Sequence, residues 1–272
     1  MPRHKTENLP DLTALLTPKN PLMLAVERAV LRGQDWAYAS APIAEQIAAR
    51  LAGVITLDLL KAGQRLLEKD ISEVLHVSRA PVREALRILE RDRLVEFQAR
   101  RGAIVTEPDE KELRDIFRVR SVLYLTMLEQ VAEESPEALE TLLADRLPRL
   151  VKAADESPDA YAVESFLLNF ATVDLCGNRL LVDLLQSISL RTLRYLRLSM
   201  VAQPQSIRLS LKRWRALHKA IVGRDNKTLL SLAAQRLDEA RDAAVQAVTP
   251  VSRSATRRSG RSKPDTSPAL QD

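Results

Sequence analysis

The sequence is poor in the residues that β-rich and disulfide-bonded proteins need. Its 272 residues include 7 glycines and 1 cysteine, and aromatic residues make up 4%. β-Sandwiches and barrels use glycine-rich turns and aromatic strands in quantity, so this composition argues against both. The lone cysteine, Cys176, cannot form an internal disulfide, which fits a reducing compartment. We therefore expect a mainly α-helical protein of the cytoplasm.

Long hydrophobic runs are also missing. No stretch reaches the roughly 18 uninterrupted apolar residues of a transmembrane helix, and we expect no membrane partner. The first residues lack the apolar core and cleavage site of a secretory signal. The net charge of +5 permits nucleic-acid binding, although a helical protein that is basic for other reasons has the same composition.

Proline and glycine positions divide the chain into four segments. Residues 1–39 form an N-terminal extension that we predict to be partly flexible. Residues 40–107 and 108–247 form two domains. Residues 248–272 form a Ser-, Arg- and Pro-rich tail that we predict to be disordered. The basic tail is either simply solvated or an auxiliary contact to DNA phosphates.

The first domain has the pattern of a winged helix-turn-helix, with three helices and a β-hairpin wing. A first helix begins near Ser40, and its apolar stripe consists of Ile43, Ile47, Leu51 and Val54. A short helix over Glu68–Leu75 and a tight turn precede a helix that Ser78 caps. Alternating residues at 94–98 and 103–106 predict the two strands of the hairpin.

Arginines line one face of the helix that follows Ser78. Arg79, Arg83 and Arg87 are spaced by four residues and lie opposite the apolar face, which consists of Val82, Ala85, Leu86 and Leu89. In helix-turn-helix proteins this helix enters the major groove, where an arginine donates two hydrogen bonds to guanine. An ordinary solvated face has the same pattern, but the Arg100-Arg101-Gly102 hairpin tip favours DNA. Arg87 is expected to reach only phosphate or solvent.

The run GQRLLEKDISEVLHVSRAPVREALRILERDRLVEFQARRGAIV resembles the DNA-binding domain of the GntR family of bacterial transcription regulators. The resemblance places the family's contacts to double-stranded operator DNA at Lys69, Ser78, Arg79, Arg83, Arg101 and Gly102. The start of the recognition helix and the hairpin tip add Ala80, Pro81 and Arg100 to the predicted DNA-binding set. The family more often has glycine where this chain has His76 and Arg93, so we expect local backbone strain at both positions.

The second domain is predicted to be an all-α antiparallel bundle, with helices near 109–133, 136–154, 159–175, 178–201, 205–223 and 225–247. Three segments, LRDIFRVRSVL, FLLNFATVDLCGNRLLVDLL and WRALHKAIVGRDNKTLLSLAAQRL, resemble the FCD effector domain of the fatty-acid-regulator-like subfamily. Many members hold a divalent metal with one Asp and three His. The resemblance places those positions at Ser165, Asn169, His218 and Arg236. Only His218 keeps a ligand side chain, so we expect no metal of the family type and no cofactor.

Two arginines suggest what takes the place of that metal. Arg236, with Arg120 near it by resemblance, would supply the positive charge and bind a carboxylate directly. The predicted effector-binding set is therefore Arg120, Ser165, Asn169, His218 and Arg236. The alternative is that Arg236 is exposed or paired with an acid such as Glu164, and that the pocket is vestigial.

The sequence as a whole predicts a DNA-binding transcription regulator. The family resemblance implies a homodimer, with repression as the default and activation left open. A small organic acid is the expected effector, and the alternative is a regulator that needs no ligand. The chain has no His-Glu-x-x-His, Walker A or Gly-x-Gly-x-x-Gly motif, so we do not expect an enzyme. Cys176 is interpreted as a packing residue, because no base is visible for it.

Overall fold

The computed structural model describes residues 41–248, together with Met23, Leu24, Val26, Glu27 and Leu31. The predictions for the rest of the N-terminal extension and for the tail after Val248 lie outside these residues. The described helices are α1 (Ile43–Thr56), α2 (Glu68–Val74), α3 (Arg79–Arg91), α4 (Glu110–Glu134), α5 (Pro136–Glu156), α6 (Pro158–Asp174), α7 (Arg179–Ala202), α8 (Gln205–Val222) and α9 (Asn226–Val248). The strands are β1 (Arg65–Leu66), β2 (Val95–Gln98) and β3 (Gly102–Val105). A search of this part of the chain for a helix able to cross a bilayer finds none.

The N-terminal domain is a winged helix-turn-helix, as the sequence predicts, but its sheet has three strands instead of two. The strand order is β1-β3-β2, and both pairings are antiparallel. Sequence reasoning missed β1 because it is two residues long and pairs only Arg65 with Ile104 and Leu66 with Ala103. This extra strand attaches the base of the wing to the segment between α1 and α2.

The three helices of this domain pack around the predicted apolar faces. Val82, Ala85, Leu86 and Leu89 of α3 are buried against α1, which confirms the predicted inward face. The predicted stripe of α1 needs one correction, because Ile43 is 52% exposed while Ile47, Leu51 and Val54 are buried. Ile43 is the first residue of the helix and lies beyond the edge of the core.

Two tight turns have left-handed backbone conformations at the positions where the family resemblance implies glycine. His76 follows α2 with a φ of 52°, and Arg93 follows α3 with a φ of 57°. Residues with a Cβ adopt this region at a cost of about 1–2 kcal/mol each. The expected strain at both positions is therefore confirmed.

The bundle consists of six helices joined by short turns, and each break follows from local sequence. The side chains of Asp109, Ser157 and Asn178 cap α4, α6 and α7 by accepting hydrogen bonds from backbone N–H groups at 2.7, 3.0 and 3.2 Å. Pro136 and Pro158 occupy first-turn positions, where the missing N–H has no helical partner to lose.

The two domains share one hydrophobic core. Val163, Phe166 and Phe170 of α6, together with Leu190 and Leu193 of α7, belong to the same buried cluster as the inward faces of α1 and α3. The bundle keeps a second core of its own, which includes Tyr124, Leu185 and Trp214. The winged domain is therefore packed directly onto α6 and α7.

Candidate DNA-binding surface and effector cavity

The predicted DNA-contacting residues lie on one exposed face of the winged domain. Ser78, Arg79, Ala80 and Arg83 at the start of α3 are exposed, Pro81 is half-buried, and Lys69 on α2 is exposed. Ser78 occupies the N-cap position of α3, although its side chain makes no capping hydrogen bond. Within residues 41–248 no ion pair involves Arg79, so its guanidinium is available to a partner.

Arg83 is held in position by an acid of the neighbouring helix. Its Nε and Nη2 donate to the two carboxylate oxygens of Glu68 at 3.0 and 2.8 Å. This hydrogen bond is the main reason that the pKa of Glu68 lies below its usual value. The Arg83 side chain is still 63% exposed. The bidentate contact fixes the direction of the guanidinium on the surface of α3.

Arg87 has a role that the sequence did not reveal. Its guanidinium carbon lies 4.1 Å from the centre of the Phe97 ring on β2, and its Nη1 donates to Glu90 at 2.7 Å. A cation over an aromatic face is attracted by the ring quadrupole. Arg87 therefore joins α3 to the wing. The four-residue spacing between Arg83 and Arg87 predicts that both lie on the exposed face of α3. Only the position of the hairpin identifies Phe97 as the partner of Arg87.

The wing tip presents two cations on a strained turn. Arg100 and Gly102 have φ values of 63° and 77°, and Arg101 N–H donates to Gln98 O at 3.1 Å. Arg100, Arg101 and Gly102 are all exposed. A Cβ at Gly102 would meet nothing within 4 Å, so the tip is open to an approaching partner.

A cavity of about 440 Å³ opens in the bundle and contains four of the five predicted effector residues. Arg120 of α4, Ser165 and Asn169 of α6 and Arg236 of α9 all line it. Helices α7 and α8 complete the wall, and their side chains there are mostly serine, glutamine, leucine and methionine. This volume lies within the usual range for a small-molecule site.

Arg120 is a buried cation with little compensation. It is 5% exposed, and its Nε donates to Ser189 Oγ at 3.3 Å. Burial is the main cause that lowers the pKa of Arg120 to about 10, and the nearby positive charge of Arg236 lowers it further. No acid forms an ion pair with Arg120 within residues 41–248.

Arg236 is also buried, at 8% exposure, and it forms no ion pair with Glu164 or any other described acid. Its Nη2 donates to Asn169 Oδ1 at 3.0 Å, and its guanidinium carbon lies 4.3 Å from the Trp214 ring centre. Its Nε has no hydrogen-bond partner. Two acids, Glu239 and Asp242, also line the cavity, but their ion pairs within the described residues are with other arginines.

The residues at the family's metal positions do not suit a divalent cation. Arg236 donates to the amide oxygen of Asn169, which is the oxygen that would otherwise be free to coordinate. His218 does not line the cavity. It lies eight residues beyond Ser210 on α8, about 12 Å further along the helix axis. The described residues also contain no group of three His, Cys, Asp or Glu able to hold a metal ion.

Comparison with known proteins agrees with this arrangement. Residues 43–105 match the model of "Bacterial regulatory proteins, gntR family", and residues 115–239 match the FCD domain model. The chain belongs to the GntR family. It therefore combines a GntR-type helix-turn-helix domain with an FCD domain.

Several curated relatives and solved structures resemble this GntR-family chain. An uncharacterized HTH-type transcriptional regulator, YdhC of Bacillus subtilis (strain 168), is 30% identical over 131 residues, which are 47% of this chain and 58% of YdhC. The gluconate operon transcriptional repressor of Bacillus subtilis (strain 168) is 30% identical over 46% of this chain and 51% of its own length. The matches thus span about half of these relatives.

Two solved structures have the same fold. E. coli McbR/YncC has a TM-score of 0.65 at 20% identity, covering 76% of this chain and 98% of its own. A putative GntR regulator from Rhodococcus sp. RHA1 has a TM-score of 0.61 at 22% identity, covering 75% and 97% of the two chains. At these identities the similarity supports the two-domain fold alone.

Proposed function

We propose that this protein is a homodimeric repressor that binds operator DNA and responds to a small carboxylate. The observation that carries the proposal is the pair of buried arginines, Arg120 and Arg236, which line a cavity of the bundle and form no ion pair within the described residues. In this scheme the carboxylate changes the populations of two arrangements of the DNA-binding domains, which differ in affinity for the operator.

The DNA-binding part of the proposal rests on the exposed start of α3. Arg79 and Arg83 would contact base edges, while Arg101 at the wing would contact phosphate or the minor groove. The test is a gel shift with the DNA upstream of the protein's own gene, followed by footprinting. Arg79→Ala and Arg83→Ala should each weaken specific binding by about 1–3 kcal/mol. Arg91→Ala, at the far end of the same helix, is the matched control and should have little effect.

The loss of affinity for operator DNA, compared with the loss for other DNA sequences, separates the possible roles of these arginines. A loss confined to the operator supports base contacts, whereas an equal loss on all sequences marks phosphate contacts. If no DNA sequence is protected at any protein concentration, the regulator proposal is wrong.

The homodimer is supported by four exposed apolar side chains on two neighbouring helices, which we propose form one apolar patch. Val119 and Val122 of α4 are 52% and 62% exposed, and Leu180 and Leu184 of α7 are 71% and 48% exposed. A two-fold axis through this patch would present two winged domains to the half-sites of a palindrome. Val122→Glu should give monomers in analytical ultracentrifugation. Val222→Glu on α8 has similar exposure and should leave the dimer intact. Dimers that persist in Val122→Glu would exclude this interface.

The effector part of the proposal needs no metal. A carboxylate would accept hydrogen bonds from Arg120 and Arg236, neither of which forms an ion pair with a described acid. Gluconate is the first probe, because one relative is named as a gluconate operon repressor. Other small carboxylic acids complete the calorimetry panel. Binding should resist EDTA and disappear in Arg236→Ala. Equal binding by Arg236→Ala and the wild type would contradict this assignment.

A ligand-independent regulator is the second candidate. The contacts of Arg236 with Asn169 and Trp214 favour it, because they stabilise the guanidinium without any ligand. This candidate predicts operator binding that no metabolite extract alters. An enzyme would instead show turnover and no specific DNA binding, and we expect neither turnover nor a cofactor.

A further inference from the structure

The effector cavity is adjoined by a small inner lobe on the side of the bundle that packs against the DNA-binding domain. The lobe has a volume of about 30 Å³ and shares Arg120, Ser165 and Asn169 with the main cavity. Its remaining wall includes Phe166, Phe170 and Leu193. These three apolar side chains also belong to the core on which α1 and α3 pack. A single layer of side chains therefore separates the lobe from the winged domain.

One polar side chain on this wall reaches the winged domain itself. Arg197 of α7 lines the lobe, and its Nη1 donates to the carbonyl oxygen of Leu57 at 2.9 Å. Leu57 is the C-cap of α1, where the carbonyl groups of a helix end carry partial negative charge. The Arg197 side chain is 15% exposed, and its Nε lies 2.8 Å from Oδ1 of Asp159 on α6.

A second arginine, one turn earlier on α7, contacts Asp58, the residue that follows Leu57 at the end of α1. Arg194 forms an ion pair with Asp58, and their side chains are 8% and 18% exposed. Asp58 has a left-handed backbone with a φ of 58°. Arg194 does not line the lobe. The end of α1 is thus attached to α7 twice, and of these two arginines only Arg197 lines the inner lobe of the effector cavity.

We propose that Arg197 is a further effector-contacting residue, and that it couples occupancy of the cavity to the position of α1. A carboxylate in the inner lobe would compete with the Leu57 carbonyl for the Arg197 guanidinium, because an ionised acceptor forms the stronger hydrogen bond. Transfer of this bond frees the end of α1 from one of its two attachments. Helix α1 packs on α3, so the recognition helix moves with it. The inference rests on the proposed function and specifies its regulation.

A carboxylate introduced by mutation tests this coupling without a free ligand. Ser165→Asp places a carboxylate on the wall shared by the cavity and the lobe, and Ser165→Asn is a neutral control of equal size. Hydrogen exchange of the full chain is followed at residues 43–60, with α9 as the internal reference. Ser165→Asp should raise exchange there at least threefold over Ser165→Asn. In an Arg197→Gln background the two variants should agree within twofold.

Two outcomes would overturn the proposal. One is equal exchange in Ser165→Asp and Ser165→Asn, and the other is a difference that persists unchanged in the Arg197→Gln background. Failure of the proposed effector function is seen separately, as absence of carboxylate binding to the wild type in calorimetry.

A second comparison leaves Ser165 unchanged, since this residue is only 7% exposed and its replacement strains the bundle. Arg197→Gln alone removes the charge-assisted hydrogen bond to Leu57. It should raise exchange at residues 43–60 about tenfold over the wild type while α9 is unaffected. Arg179→Gln, at the exposed start of α7, is the matched control. Wild-type exchange in Arg197→Gln would exclude the coupling role.

Discussion

Replacing Arg120 by methionine should make the unliganded protein more stable. Arg120 binds its proton less tightly in the folded chain, because burial lowers its pKa to about 10, well below its ordinary value. At neutral pH its charge therefore opposes folding, and at 1.36 kcal/mol per pH unit the penalty is about 3 kcal/mol. The variant loses the hydrogen bond to Ser189, about 1 kcal/mol, and a weak contact with the Tyr124 ring at 5.6 Å.

The expected net gain is about 1–2 kcal/mol, or a rise in Tm of about 2–8 °C for a chain of this size. Calorimetric melting at pH 7 without added carboxylate measures it. Arg118→Met, on the exposed side of the same helix, is the control and should stay within about 0.5 kcal/mol of the wild type. A variant that melts below the wild type would show that an unrecognised partner compensates Arg120, and the argument for an anion site would lose its basis.

Three further predictions concern the winged domain and the bundle core. Arg83→Gln should raise the pKa of Glu68 towards its ordinary value in an NMR titration, because the hydrogen bond from Arg83 is the main cause that lowers this pKa. The pair stabilises the fold at pH values above the ordinary pKa of Glu68, and this stabilisation is lost as the pH falls through the lowered pKa. An unchanged pKa in the variant would contradict the pairing. Phe97→Ala should loosen the wing by removing its contact with Arg87, worth about 0.5–1 kcal/mol, and hydrogen exchange at residues 95–105 should increase. Leu185→Ala, at a fully buried position, should lower the free energy of unfolding by about 2–5 kcal/mol in a denaturant titration, and a smaller loss would mean that the core collapses around the gap.

Much of the fold follows from local sequence signals. The helical spacing of apolar residues along α3 predicts its buried face, and proline or capping residues mark the starts of α5 and α6. These signals are local because a helix forms its hydrogen bonds within a few residues. Strand β1 was missed for the opposite reason, since two residues carry no periodicity and their pairing depends on a distant hairpin.

The residues of the candidate sites also fall into two groups, those that local sequence predicts and those that depend on packing between distant segments. The exposed arginines of α3 could be predicted, because helical spacing places them on one face. Arg87 was assigned to solvent or phosphate, although its ring partner lies on the wing. Arg197 was not singled out at all, because only the packing of α7 against α1 brings it to the Leu57 carbonyl. The burial of Arg236 likewise depends on how α9 packs, and its sequence position left exposure open.

The core shared by the two domains limits how this regulator can be re-engineered. Chimeric regulators are made by joining the DNA-reading portion of one protein to the sensing portion of another at the linker. Here a cut near Pro108 would leave Phe166, Phe170 and Leu193 of the bundle facing water. At about 25 cal/mol for each Å² of apolar surface, that exposure favours aggregation. A transplantable unit must therefore take α6 and α7 along with the winged domain, or replace their apolar faces.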